Sequence, residues 1–516
     1  MSLWYGWGDP ANALVLPPHV AALLDQALGV RPPASPVVSL DAVRLPPSSL
    51  APDVVAELAD CVSVEHIRAG AEDRVRHTRG KSTVDLLRLR AGEADDAPDA
   101  VVLPGTHEEV EAVLRVCAAH RVAVVPFGGG TSVVGGLAPA RSGFNGVVAL
   151  DLGRMERLIS VDPVSRLAVF EPGVLAPAAE RLLGDHGFSL GHFPQSFEYA
   201  SIGGYAATRS SGQFSAGYGR FDEMVVALRV ATPVGTMEIG RAPRSAAGPD
   251  LRQLFLGSEG TLGVITAVTV RVHPTPAERI CEGWSFSSFA DGTTALRRLA
   301  QDGPLPTMVR LSDEYETAVG SAGAGGCVAM VGYEGSSVAQ VRAGAERVLR
   351  EAGGNPLGEG VGEEWMRTRF QAPYLRDALL NAGALAETVE TATFWSELPT
   401  LYDAVRSSLM DALTSQGTPP IVLCHVSHVY SAGASLYFTV MCAQAADPVA
   451  QWRMAKEAAN RAILDAGATI THHHAVGTDH ASSFVEEVGP LGIEALRAVK
   501  QRLDPTGVLN PGVLLG

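Results

Sequence analysis

The sequence predicts an α+β fold, and three observations carry that prediction. The chain has 516 residues, enough for two or three domains built on large cores. Short β-branched runs recur between amphipathic stretches from residue 100 onward, so strands and helices both run through the chain. Glycine-dense tracts interrupt them at 126–133, 191–212 and 256–266. With 46% hydrophobic and 19% charged residues the composition is that of a globular protein.

In chain order, proline-rich segments at 32–36 and 45–49 mark an extended and helical lead-in over 1–94, and Gly92–Pro98 reads as a linker. Ala100–Leu103 is a short strand. Thr106 can cap a helix reaching His120, with Val110, Val113, Leu114 and Cys117 on one face. Val122–Pro126 is a strand that runs into the first glycine tract. Further strands fall at 146–150, 167–170, 225–231 and 263–272, and the break His273-Pro274-Thr275-Pro276 closes a unit over 95–278. A second unit, 279–445, mixes strands at 327–331, 420–425 and 435–441 with helices at 338–352 and 398–416. A last segment, 446–516, opens with a helix over 448–466 and carries His472-His473-His474.

Charge and cysteine usage narrow the function. A net charge of -16 argues against nucleic acid as a partner, so an anionic ligand would need a few arginines gathered at one place. Six scattered cysteines without a C-x-x-C pair suit reduced thiols better than disulfides or zinc. No basic-then-apolar run stands at the amino end, and no run of about 18 apolar residues occurs. A cytoplasmic protein is the expectation, with peripheral membrane contact left open.

The chemistry begins at Pro126-Phe127-Gly128-Gly129-Gly130-Thr131-Ser132-Val133. Glycine costs backbone entropy, so three in a row after a strand need a reason. Successive N–H groups in a tight turn form a nest for a diphosphate, and a plain strand-to-helix turn is the alternative. Gly80-Lys81-Ser82 lacks the upstream glycine of a Walker loop, and no G-x-G-x-x-G opens a helix. The loop is joined by the tracts Ser201-Ile202-Gly203-Gly204-Tyr205-Ala206-Ala207-Thr208-Arg209-Ser210-Ser211-Gly212 and Gly257-Ser258-Glu259-Gly260-Thr261-Leu262-Gly263-Val264-Ile265-Thr266, and by Val508-Leu509-Asn510-Pro511-Gly512.

In order and spacing these four motifs resemble the vanillyl-alcohol-oxidase type of FAD-binding protein. The resemblance implies a two-part FAD-binding domain, a separate cap domain and a carboxyl-terminal helical return to the flavin. It implies non-covalent FAD on Pro126, Phe127, Gly128, Gly129, Gly130, Thr131 and Ser132; on Gln195, Ser196, Ser201, Ile202, Gly204, Thr208 and Ser210; and on Glu259, Gly260, Ile265 and Asn510. Over nearly its whole length the chain further resembles the alkyldihydroxyacetonephosphate synthases, from the Trp4-Tyr5-Gly6-Trp7-Gly8 start to the triple histidine. That family's active-site positions fall on His192, Arg310, Arg376, Tyr437, His472, His473 and His474. Ala475 and Thr478 depart from the glycine and lysine usual there.

Each position also has a reading from its own chemistry. A guanidinium grips phosphate through paired donors, so Arg376 is the expected anchor and Arg310 its support; a surface ion pair is the bland reading of either. Tyr437 is a core tyrosine or a general acid/base, and the second role calls for a depressed pKa beside a cation. In a strand, His472 and His474 would share one face. An active-site loop is preferred there over zinc with Asp479 and His480, and no metal is expected. The resemblance implies exchange of the acyl group of 1-acyl-dihydroxyacetone phosphate for a fatty alcohol, with flavin N5 as nucleophile and no net redox. Its expected partners are these lipids and a second copy of the chain in a homodimer. The rival is an FAD-dependent D-2-hydroxy-acid dehydrogenase or oxidase. Those enzymes show G-E-H-G-[IV]-G, and their glutamate position is His473 here.

Overall fold

The computed structural model describes residues 3–33, 35–320 and 325–515. Thr106 starts a helix as expected: its hydroxyl accepts the Glu109 N–H at 3.1 Å. The helix His107–His120 buries Val110, Val113, Leu114 and Cys117, and Arg121 ends it in the left-handed conformation. The chain then returns as the strand Val122–Phe127, parallel to Gly146–Asp151, which pairs in turn with Ala100–Val102. These strands are continuously apolar because both faces are covered. A second, antiparallel sheet follows in the order Leu158–Asp162, Leu167–Phe170, Val264–Arg271, Val225–Thr232, Gly235–Ile239. Together the two sheets form the two-part nucleotide-binding architecture that the resemblance implies.

The third sheet is the largest. Its seven antiparallel strands run Asn355–Gly358, Glu278–Phe286, Cys327–Gly335, Met308–Ser312, Ile421–Val429, Gly433–Ala443, Ala384–Phe394. Period-two alternation divides its faces. Leu436, Phe438, Val440 and Cys442 enter a core shared with Leu398, Leu401, Val405, Leu409 and Leu413, spaced three or four apart along the helix Leu398–Ser415. Tyr437, Thr439 and Met441, one residue out of phase, line a cavity on the other face.

Three expectations need correcting. Gly92–Pro98 is no free linker, because Ala94 and Ala97 are fully buried. The buried Arg79 holds this segment, donating to the Asp96 carboxylate at 2.9 Å and to the Glu93 carbonyl at 2.5 Å. The lead-in is integral too. The helix Pro52–Val62 shares a core with His107–His120, and Thr83 bonds Ala386 and Glu387 of the seven-stranded sheet. Lastly, residues 471–474 form no strand, so the two-face argument for the histidines does not apply.

Candidate active site

A cavity of about 630 Å³, a size common for small-molecule sites, lies between the nucleotide-binding sheets and the seven-stranded sheet. Residues 126–133, at the carboxyl end of the strand Val122–Phe127, line one wall. Two different needs explain the three glycines. A Cβ on Gly128 would overlap the Ser201 hydroxyl, and one on Gly129 would overlap the Tyr199 carbonyl, so the loop and the second tract lie backbone against backbone. Gly130 alone takes the left-handed conformation, at φ 66°. Gly129 needs no positive φ; close approach is what that position requires.

Gln195, Ser196, Ser201, Gly204, Thr208, Ser210, Glu259, Gly260 and Ile265 line the same wall. Ile202 and Asn510 stand behind it. Ile202 is core at the start of the short helix Ile202–Thr208, and Asn510 donates to the carbonyls of Gly136 (2.9 Å) and Glu259 (2.7 Å). Glu259 accepts the N–H groups of Val476 and Gly477 at 3.1 and 2.8 Å. Burial nevertheless pushes its carboxyl up to about 7, against the pull of those hydrogen bonds.

The opposite wall is made of side chains. Tyr437 pairs across strands with His425 on one side and Glu390 on the other. Its ring lies nearly parallel to those of His425 (5.0 Å) and His473 (5.9 Å), with His474 edge-on at 5.5 Å. Its hydroxyl donates to Thr388 at 3.3 Å. Burial raises the phenol to about 12, so the depressed pKa expected for it is overturned: Tyr437 rests protonated, as a donor. Burial likewise keeps three of the nearby imidazoles neutral, driving His474 down to about 3 and His472 and His428 well below their ordinary value.

The histidine loop is wound on one buried carboxylate. Glu390 accepts the N–H groups of His472, His473 and His474 and the Thr471 hydroxyl at 2.5–3.2 Å. Burial alone would raise its pKa, but the charge and hydrogen bond of His473 hold it well below the usual carboxylate range. His473 and His474 line the cavity, whereas His472 turns away, its Nε2 2.6 Å from the Tyr430 hydroxyl and its Nδ1 3.0 Å from His473 Nδ1. Among the described residues His428, His472 and His473 can each bring one ligand atom within 4.8 Å of the others. Hydrogen bonds already engage them, including those of His428 Nδ1 with Ser211 and Ser215 at 3.1 and 2.7 Å. The partners considered for zinc lie elsewhere: Asp479 pairs with Lys456, and His480 Nδ1 meets the Ala475 carbonyl.

The two arginines differ. Arg310 is committed to Glu316 at 2.7 Å and to His425 Nδ1 at 2.9 Å, so its charge is already balanced at the wall. Arg376 lines the cavity from the helix Ala372–Ala382 and is steadied by the Lys81 carbonyl at 2.5 Å and by Asp377 at 3.2 Å. His192 is off the wall. Its Nε2 meets Ser210, which lines the cavity, at 3.0 Å, and burial takes its pKa down to about 3.

Comparison with known proteins decides the family. Residues 98–240 match the FAD binding domain model, and residues 275–514 match the model for the C-terminal domain of FAD linked oxidases. The chain is 33% identical to an alkyldihydroxyacetonephosphate synthase of Trypanosoma brucei brucei, over 99% of this chain and 92% of that one. It is 32% identical to one of Dictyostelium discoideum, over 93% and 84%. This chain belongs to the alkyldihydroxyacetonephosphate synthase family. A solved alkyldihydroxyacetonephosphate synthase structure superposes with a TM-score of 0.86 at 29% identity, covering 99% of this chain and 98% of that one.

FAD is this family's cofactor, and the cavity fits it. The glycine cradle would be filled by any Cβ, and Gln195 Nε2 on the same wall is buried without a protein partner. Residues 127–132, 195–210 and 259–265 would hold the flavin nucleotide. Sequence reasoning missed His425, His428, Thr388 and Glu390, and gave Trp7 no place at the site. The pair His425 and His428 gave a usable signal only with the bulge between Val426 and His428, which brings Ser427 and His428 together onto the cavity.

Proposed function

We propose that this protein exchanges the acyl group of 1-acyl-dihydroxyacetone phosphate for a fatty alcohol, forming an ether-lipid precursor. The observation that carries this reading is Tyr437 stacked between His425 and His473, where D-2-hydroxy-acid dehydrogenases would place a glutamate at the last position. When bound, FAD supplies the nucleophilic ring nitrogen for a substitution at C1 with no net redox change. Arg376 holds the phosphate through paired N–H donors. Tyr437 and His473 beside it move the C1 proton between phenol and imidazole. His474 orients the leaving carboxylate or the incoming alcohol, and Ser210, fixed by His192, would be among the residues that hold the flavin. Arg310 tunes His425 rather than gripping substrate. Residues 95–278 act as the cofactor domain, 279–445 as the cap and 446–516 as the return segment. The same reading has a cytoplasmic homodimer meeting lipid substrates at a membrane surface.

The test is anaerobic. Holoenzyme should exchange a labelled long-chain alcohol into acyl-dihydroxyacetone phosphate without an electron acceptor, while D-lactate and glycolate leave the flavin absorbance unchanged. Rapid bleaching by a 2-hydroxy acid, with no exchange, would overturn the proposal in favour of an oxidoreductase.

A further inference from the structure

Exchange of an acyl group for an alcohol sets a proton free. One C–O bond breaks at C1 and another forms, no electrons are exchanged, and the acid that leaves is ionised at neutral pH. The hydroxyl proton of the alcohol therefore has to leave the site once per turnover. A cavity of about 630 Å³ that takes a flavin nucleotide and a lipid leaves little room for bulk water to carry it off. His473 lines this cavity and turns Nδ1 inward, 3.0 Å from His472 Nδ1, which leaves Nε2 as its cavity-side nitrogen. His472, 6% exposed, stands behind the wall and is engaged at both nitrogens, its Nε2 lying 2.6 Å from the Tyr430 hydroxyl. Tyr430 is half-buried, and its hydroxyl is faced by Arg220, Asp222 and the exposed Glu223. Three side chains thus form an unbroken line of hydrogen bonds from the cavity to the charged segment 220–223.

We propose that His473, His472 and Tyr430 are a proton relay, which carries the proton freed in each exchange from the cavity to solvent beside Glu223. The proposal rests on the exchange reading, and it gives His472 a task although that side chain stands off the substrate. An imidazole can accept a proton at one nitrogen while releasing one from the other. The cavity proton bonds to His473 Nε2 as the Nδ1–H of that ring passes to His472 Nδ1. His472 gives its Nε2–H to the Tyr430 oxygen, and the Tyr430 O–H goes to water. Each residue gains one proton and loses one, so none stays charged. The surroundings favour passage over storage. Burial, His473 and Arg220 all oppose a charge resting on His472, and burial raises the Tyr430 phenol to about 12, so it rests as a donor. The Glu390 carboxylate, 3.4 Å from His473 Nδ1, steadies the first imidazole while the proton crosses it.

Tyr430→Phe in the flavin-loaded enzyme cuts this line behind the cavity wall and keeps the ring. With acyl-dihydroxyacetone phosphate and a labelled fatty alcohol, kcat should fall about a hundredfold, the low end for a group that moves a proton. Both KM values and the flavin spectrum should stay as they are. Exchange should slow more in heavy water than it does in the wild type. Imidazole buffer, raised at fixed pH and ionic strength, should restore part of kcat by taking up the proton itself. A tyrosine that merely braced the histidine loop would give neither signature. An unchanged kcat would therefore overturn the relay, as would a lower kcat with no larger heavy-water effect and no rescue. Should Tyr430→Phe not fold, His472→Gln breaks the same line one step nearer the cavity, and the same two signatures are required of it. A wild type that exchanges beside an unaffected variant sinks the relay alone; a wild type that does not exchange sinks the exchange reading and the relay with it.

Discussion

The two walls of the cavity hold ligands by opposite means. The nucleotide wall offers main chain: Gly128 and Gly129, which let the loop lie on 199–201, and amides exposed by tight turns. The ring wall offers side chains projected from a sheet, each fixed by another side chain, as Glu390 fixes the histidine loop and Asp377 fixes Arg376. A main-chain site fails when a side chain is added to it. A side-chain site fails when one is removed or its partner is lost. The difference teaches where each kind of mutation should act, and four experiments can break it.

The largest effect should come from Gly129→Val, whose Cβ has no room against the Tyr199 carbonyl. We expect folded, colourless protein that does not take up FAD, measured by visible absorbance after reconstitution. In the unmodified protein, acid precipitation should release the flavin. Yellow Gly129→Val protein would mean that the loop can retreat and is no cradle.

Next is Tyr437→Phe. It should keep its flavin and its melting temperature and lose about 10²–10⁴-fold in exchange rate, the usual worth of a general acid/base group. A loss of flavin instead would show that the ring wall also builds the cofactor site.

Arg376→Lys should be milder. It keeps the charge but loses the fork, so the KM for the phosphate substrate should rise roughly tenfold or more while kcat changes little. If kcat falls and KM stays, Arg376 orients groups on the protein and another residue binds phosphate.

The smallest effect is a null with a definite sign. Tyr437, raised to about 12, stays protonated, and His474, lowered to about 3, stays neutral across the range from pH 7 to 9.5. Neither changes charge there, so neither should put a limb into kcat over that range. A limb near pH 8 in kcat that vanishes in Tyr437→Phe would show a phenolate-forming tyrosine and reverse the assignment of donor and acceptor.

The same contrast explains what could be read in the sequence. Main-chain sites are local: the glycine loop, the capped helix after Thr106 and the tract at 257–266 are each contained within about a dozen residues, and composition marks them. The ring wall is assembled from distant strands. Glu390 sits in Ala384–Phe394, a strand the sequence reading left out because Glu387 and Glu390 break its apolar pattern; tertiary partners, Thr83 for one and the histidine loop for the other, make them acceptable there. His428 needed the bulge at Ser427, which no residue type announces. Tyr437 was identified by position alone, and its chemistry was misjudged because burial, invisible in sequence, moves the phenol upward. Trp7 was noticed as part of a motif, but its link to Arg376 passes through Asp377, 370 residues away.

The seam between the walls has a consequence for how the protein is made. Residues 508–510 pair with Val124 along the open edge of the parallel sheet, and Asn510 ties Gly136 to Glu259, which in turn holds Val476 and Gly477. A ribosome delivers the glycine loop several hundred residues before it delivers Asn510. At about 5–20 residues per second, roughly twenty seconds to over a minute separate the two. During that interval the nascent chain carries a diphosphate cradle with no floor beneath it and an unpaired strand edge at Val122–Phe127, the kind of edge that invites pairing with another chain. Flavin capture in its final form therefore waits for Asn510, and the interval before it is when this protein most needs a chaperone.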